Sequence, residues 1–232
     1  MKILCTICAR AGSKGVSNKN LRLINSKPLI VYSIEQAQAT NLFDQIVVSS
    51  DSADIRSVAL ANGATFVVER PLEMATDTAP KLPAIRHCAL SAEKKFGNFD
   101  IIIDLDATAP LCDPHDIVGA FELLKSTNAD NVITGTPARR SPYFNLVETD
   151  SNGIAHLSKL PQVSVDRRQD SPHCYDMNAS IYVWRRKALL ENESLFTVST
   201  RLFVMPPERS HDIDSQADFE MVEWMMTKGK NK

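Results

Sequence analysis

Short apolar runs alternate with amphipathic stretches at helical spacing along the first 136 residues, and this alternation is the strongest constraint on the fold. Runs at 3–8, 45–49, 64–68, 100–105 and 131–136 are rich in Ile, Val and Leu and read as buried strands. Between them, 28–39, 53–61 and 81–96 place apolar residues on one face; in the last, Leu82, Ile85, Ala89, Ala92 and Phe96 fall at helical spacing. Asp113-Pro114-His115-Asp116 supplies an N-cap, a proline at the first helical position and an acid at the third. Strand–helix alternation of this kind predicts βαβ units, a mostly parallel sheet flanked by helices and an α/β fold. The pattern breaks after Pro137. Hairpin signals at 144–148, Asn152-Gly153 and 154–157 predict a small insertion subdomain at about 138–175 within a single domain spanning 1–232. Strands are then expected at 179–184 and 202–205, and a last helix at 215–226.

Composition narrows the function classes. With 232 residues, 44% of them hydrophobic, the chain is large enough and apolar enough for a core of its own. A formal net charge of −2 argues against a dedicated nucleic-acid binder. No apolar run reaches the ~18–20 residues that span a bilayer, so no membrane partner is expected, and the opening run is expected to be too short for a signal peptide. Five scattered cysteines read as reduced thiols of a cytoplasmic protein. Cys5 and Cys8, three apart in a strand, point to opposite faces and are expected to be packed thiols, not a redox pair. The five histidines show no zinc-ligand spacing.

Two charged segments stand out. Residues 1–34 hold six bases and no acid, several of them in Arg10-Ala11-Gly12-Ser13-Lys14-Gly15 and Lys19-Asn20, just after the first strand. Ligands of open α/β sheets bind at the carboxyl ends of strands, glycines admit phosphate oxygens to the backbone, and Arg10, Lys14 and Lys19 suit a polyphosphate. The spacing is neither a Walker A loop nor a dinucleotide fingerprint, so an ordinary βα turn with surface lysines is the alternative. Residues 205–225 hold six acids and one base. In His211-Asp212-Ile213-Asp214 the two aspartates can share a face, a pair suited to Mg²⁺ beside phosphates; the alternative is that Asp214 caps the last helix. Asp218 is a third donor or a first-turn acid.

Together and in this order the motifs resemble the cytidylyltransferases that activate nonulosonic (sialic-type) acids. Cys8-Ala9-Arg10-Ala11-Gly12-Ser13-Lys14-Gly15 with Lys19-Asn20-Leu21 is close to P-A-R-x-x-S-K-G…K-N-L; Val48-Ser49-Ser50-Asp51 is similar to V-S-T-D, and Arg70-Pro71 through Asp77-Thr78-Ala79 to R-P-x-x-L-A-x-D-T-A. Arg168-Gln169…Pro172…Asn178…Ile181-Tyr182 and Asp212-Ile213-Asp214…Asp218 complete the set. The resemblance implies a Rossmann-like, GT-A-like nucleotidyltransferase fold and a homodimer. It implies a reaction of CTP with a 2-keto sugar acid that gives the CMP-sugar and pyrophosphate. Carried over by position, Arg10, Ser13, Lys14, Lys19 and Asn20 would bind the CTP phosphates and ribose, and Arg70 would approach the cytosine. Asp212 and Asp214 would hold Mg²⁺ as cofactor, with Arg10 and Lys19 serving catalysis. Arg168 and Tyr182 would line the sugar-acid pocket, and Phe196 would reach a partner's pocket.

Departures point to a subgroup. Where sialic acid enzymes have Q-P-T-S-P-L-R, this chain has Asp106-Ala107-Thr108-Ala109-Pro110-Leu111-Cys112. A carboxylate only accepts hydrogen bonds, so Asp106 is expected to meet N–H or O–H groups of the sugar acid. Tyr175 to Ser180 and Pro137 to Phe144 also look like the bacterial branch acting on legionaminic-type acids. Cys8 stands where the family has proline, and a cytosine-side serine is replaced near Lys81. The alternatives are an N-acetylneuraminate or Kdo-type synthetase, and a non-catalytic nucleotide-binding protein on the same fold.

Overall fold

A computed structural model describes residues 1–12, 15–160 and 167–229. In chain order the strands are β1 (Ile3–Cys8), β2 (Leu23–Ile24), β3 (Lys27–Pro28), β4 (Gln45–Ser50), β5 (Phe66–Glu69), β6 (Ile101–Leu105), β7 (Asn131–Pro137), β8 (Val147–Thr149), β9 (Ala155–Leu157), β10 (Tyr175–Arg185) and β11 (Arg201–Val204). The α-helices are α1 (Leu29–Thr40), α2 (Ala53–Ala61), α3 (Lys81–Phe96), α4 (Pro114–Ser126), α5 (Arg186–Glu191) and α6 (Gln216–Gly229).

Seven strands form one sheet in the order β11-β7-β10-β6-β1-β4-β5. β1 pairs in parallel with β4 and β6, β4 with β5, and β7 with β11. β10 runs antiparallel to both of its neighbours, β6 and β7. The mostly parallel α/β sheet predicted from the alternation is therefore present, interrupted by one reversed strand. β10 is also longer than the apolar run at 179–184 predicts. Its first half, Tyr175 to Asn178, is polar and pairs with the end of β7 beyond a bulge.

Helices cover both faces. Ile30, Ile34, Ile55, Ile117 and Phe121 pack on one side with Cys5, Ile7 and Ile103; Leu82, Ile85, Cys88 and Leu189 pack on the other with Leu4, Ile102 and Trp184. Cys5 and Cys8 do lie against opposite clusters. A third cluster joins Val16, Ile24 and Leu29 to Ile213, Phe219 and Val222. It fastens the segment after β1 to the segment before α6. The α4 start is as expected: Asp113 accepts from the His115 backbone N–H at 2.8 Å, and Asp116 answers as the other half of a capping box. The segment expected as an insertion carries the exposed β8–β9 hairpin.

Candidate active site

A cleft of about 460 Å³ opens at the carboxyl ends of β1, β4 and β6, lined among others by Arg10, Gly15, Lys19, Asn20, Arg70, Lys81, Asp106 and Asp214. This is the crevice in which open α/β sheets bind ligands. The two charged segments meet there. A Cβ placed on Gly15 would lie 1.8 Å from the Asp214 carbonyl oxygen, a separation no side chain tolerates. The glycine is thus needed for close approach of the basic loop to the acidic one. Lys19 spans the seam, its Nζ donating to the Ile213 carbonyl and, at 3.1 Å, to Asp214 Oδ1.

Alternation explains the acidic segment. Ile213 is fully buried and its N–H donates to the Thr108 carbonyl at 3.0 Å, while Asp212 and Asp214 on either side are exposed. Asp214 does not cap α6. Ser215 and Asp218 do so reciprocally: the Ser215 N–H donates to Asp218 Oδ2 at 2.7 Å, and the Asp218 N–H to Ser215 Oγ at 3.2 Å. Asp218 is therefore a capping acid. Partial burial, then the charge of Asp214, raises the Asp212 carboxyl above its usual range, with a further push from Asp106. Two mutually repelling carboxylates beside a basic loop suit Mg²⁺, a cation held by one or two carboxylates with phosphate and water oxygens. Among the described residues no cluster of three or more His, Cys, Asp or Glu could enclose a metal.

The basic residues are held from below. The Ala11 N–H donates to Asp51 Oδ1 at 2.8 Å, which ties the loop after β1 to the end of β4. Arg10 reaches across the cleft to the Thr76 carbonyl at 2.6 Å and to Asp77 at 3.0 Å. Asn20 is buried; its amide donates to the Arg10 carbonyl at 2.9 Å, and its Oδ1 has no hydrogen-bond partner among the described residues. Arg70 is buried too, its guanidinium donating to the Ser49 carbonyl at 3.0 Å. Ser49 and Asp51 explain the V-S-S-D motif as a support for the residues above it.

At the other end Lys81, the first residue of α3, donates to Asp106 Oδ2 at 2.7 Å and stands 3.3 Å from Asp104 Oδ2. Thr108 binds the remaining Asp106 oxygen through its N–H at 2.9 Å and its hydroxyl at 2.7 Å. Asp106 is not a freely solvated strand-end acid. Sequence reasoning did not assign Lys81, whose partners lie on two different strands, and no local motif signals it.

One predicted site residue needs correction. Tyr182 does not line the cleft: it is fully buried in the core on the α3 side, its ring 4.9 Å beneath the Lys81 ammonium. In-register pairing on β10 points it into the sheet-helix interface. Phe196, expected to reach a partner's pocket, lies exposed in the connection between α5 and β11. Ser13 and Lys14 lie outside the described residues. Arg168 begins a short turn, Arg168–Asp170, and its side chain also lies outside the described set.

A cytidylyltransferase family model matches residues 4–228. The CMP-N,N'-diacetyllegionaminic acid synthase of Campylobacter jejuni is 48% identical over 227 residues, 97% of this chain and 95% of that protein. The post-translational flagellin modification protein B of Campylobacter coli is 47% identical, covering 99% of this chain and 97% of its own length. Among solved structures, a CMP:2-keto-3-deoxy-manno-octonic acid synthetase complexed with CTP superposes with a TM-score of 0.70 at 19% identity, over 99% of this chain and all of that one, and so shares the fold. The chain belongs to the cytidylyltransferase family.

Proposed function

We propose that this cytidylyltransferase joins CTP to a legionaminic-type nonulosonic acid, with release of pyrophosphate. The observation that carries the reading is the seam at Gly15 and Lys19, which sets a basic loop against a carboxylate pair in one cleft. The near-complete match to a legionaminic acid synthase supports the sugar class, as does an anchored carboxylate, Asp106, in the cleft lining.

The nucleophile is the anomeric hydroxyl of the sugar acid, and pyrophosphate leaves from the α-phosphate. Phosphoryl-type transfer leaves the protein mainly positioning and charge stabilisation. Arg10 and Lys19, with Ser13 and Lys14, would hold the phosphates and stabilise charge on the departing pyrophosphate. Asn20 Oδ1, an unmet acceptor among the described residues, suits a ribose hydroxyl, and Arg70 would approach the cytosine. Arg168 offers a guanidinium fork for the substrate carboxylate. Asp212 and Asp214 would hold Mg²⁺, which supplies Lewis-acid polarisation of a phosphate oxygen. Exposed Leu146, Val147, Ile154 and Leu160 around the β8–β9 hairpin, with Phe196, suit a homodimer. Unpaired cysteines suit a reducing cytoplasm.

The test is pyrophosphate release with CTP, Mg²⁺ and a panel of legionaminic, neuraminic, pseudaminic and Kdo-type acids. The highest kcat/KM is expected for the legionaminic acid. A higher value for neuraminate or Kdo overturns the sugar assignment. CTP-induced thermal stabilisation without turnover on any acid overturns catalysis. Light scattering coupled to size exclusion is expected to give twice the chain mass.

A further inference from the structure

We propose that Lys81 is a positioning residue: it clamps Asp106 so that this carboxylate meets the sugar acid as a fixed, ionised acceptor, and it takes no part in holding the nucleotide. The inference rests on the reading of the cleft as a CMP-sugar synthase site.

Its basis is donor valence. An ammonium has three N–H donors. Lys81 Nζ donates to Asp106 Oδ2 at 2.7 Å and to the Ala179 carbonyl at 3.4 Å, stands in an ion pair 3.3 Å from Asp104 Oδ2, and has the Tyr182 ring 4.9 Å away. Two of its donors are spent on protein acceptors and its charge is shared with two carboxylates, so a phosphate would have to compete with all of these contacts. The Ala179 carbonyl is presented by a left-handed residue, φ 53°, at the bulge of β10, an unusual conformation for a residue with a Cβ. The same bulge lets the Ser180 carbonyl accept the Asp106 N–H at 2.9 Å. The backbone, Lys81 and Thr108 thus all fix Asp106, and one lone pair, on Oδ2, is left for the cleft.

The groups facing Lys81 are Asp104 and Asp106 at the end of β6 and Tyr182 on β10; Thr6 on β1 backs Asp104 with a 2.8 Å hydrogen bond, and the charges of Asp106 and Asp212 repel one another. Burial works against charge on Asp106, but Lys81 and Thr108 outweigh it and hold the carboxyl below its usual range. Burial pushes Asp104 up in spite of Lys81 and Thr6. Without the ammonium, two neighbouring carboxyls share a poorly solvated floor, Asp104 is the one pushed toward its protonated form, and Asp106 loses one of the contacts that hold it ionised and in place.

The experiment uses the full chain with Lys81→Met, Lys81→Arg and the charge-free pair Lys81→Met/Asp106→Asn. Pyrophosphate release is measured with CTP and N,N'-diacetyllegionaminic acid varied separately. For Lys81→Met the KM for the sugar acid is expected to rise about 10–100-fold, as for loss of one charged hydrogen bond, while the KM for CTP stays within about twofold. Lys81→Arg is expected to recover most of the loss. Equal rises in both KM values, or loss of the CTP-induced shift in melting temperature in the double variant, overturn the assignment. A second readout is independent of turnover. In the ligand-free protein the carboxyl ¹³C titration of Asp106 is expected to move up in Lys81→Met; an unmoved titration overturns the clamp. A wild-type chain inactive on every nonulosonic acid overturns the functional reading instead, and leaves the carboxyl titration to decide the clamp.

Discussion

Gly15→Ala isolates the step on which the site depends, the contact between its two charged loops. The added Cβ would sit 1.8 Å from the Asp214 carbonyl oxygen and 3.0 Å from its carbon, both backbone atoms. Non-bonded heavy atoms rest at about 3.5 Å, so the loops must part by roughly 1.5 Å. That displacement moves Lys19 relative to Asp214. Misplacement of reacting groups by ~1 Å costs about 100-fold, so kcat/KM is expected to fall at least that far, or ~2.7 kcal/mol of transition-state stabilisation. Global stability suffers less, because the overlap lies between loops that can move apart. A residual strain of about 1 kcal/mol lowers Tm by only ~2–4 °C in a chain of this size. Pyrophosphate release and differential scanning calorimetry on the wild type and Gly15→Ala complete the test. Wild-type kcat/KM in Gly15→Ala refutes the reasoning.

Asp212→Asn is expected to lower pyrophosphate release by at least about 100-fold while CTP binding, read by calorimetry, largely survives; full activity at saturating Mg²⁺ removes Asp212 from the metal site. Arg10→Ala is expected to cost about 2–4 kcal/mol in kcat/KM, as for a lost charge-stabilising donor; an unchanged value takes Arg10 out of the reaction. Asp113→Ala removes the α4 cap and is expected to cost ~1 kcal/mol of stability with kcat/KM unaltered. The bond from the His115 N–H, against a smaller burial effect, holds the Asp113 carboxyl below its usual range. Its stabilisation is therefore complete above the unfolded value near ~3.9 and is lost as pH falls toward the folded value. The Tm gap between wild type and Asp113→Ala should close in acid; a gap that widens there contradicts the cap.

Periodicity carried the parts of the fold in which one face is buried along the whole element. Residues 81–96 form a helix with the expected bounds because Leu82, Ile85, Ala89 and Ala92 line a continuous apolar face. β10 was only half legible. An apolar run does not encode strand direction, and Tyr175 to Asn178 are polar or exposed residues that enter the sheet by pairing with β7. The six-residue α5 is too short to show a period. In the site, Ile213 between two aspartates reads correctly as one residue in and two out. Capping by Ser215 and Asp218 was concealed because Asp214 is an equally good cap by type. Tyr182 misled for a related reason: a motif position gives residue identity, but the strand register sets the face, and here it sends the ring under Lys81 into the core. The Lys81 cluster joins three elements distant in sequence, so no local pattern announces it.

Exposure grades the cleft in a way that bears on how it works. The described bases there are partnered: Arg10 on Thr76 and Asp77, Lys19 on Ile213 and Asp214, Arg70 on Ser49, Lys81 on Asp104 and Asp106. The basic loop is thereby relieved of self-repulsion. The same pairing means that an incoming triphosphate must exchange partners. At Arg10 the exchange is cheap, since both members of its pair are about one third exposed (31% and 36%) and such pairs are worth ~0–1 kcal/mol. Lys19 is more enclosed, but its acid, Asp214, is 77% exposed and readily given to a competing cation. At Lys81 the order reverses: Asp104 is wholly buried beneath it, and breaking that contact leaves a buried carboxylate uncompensated. On the proposed reading, the contacts of Arg10 and Lys19 are built to exchange and those of Asp106 to stay fixed, a division that suits a site taking a common nucleotide and discriminating among similar acids.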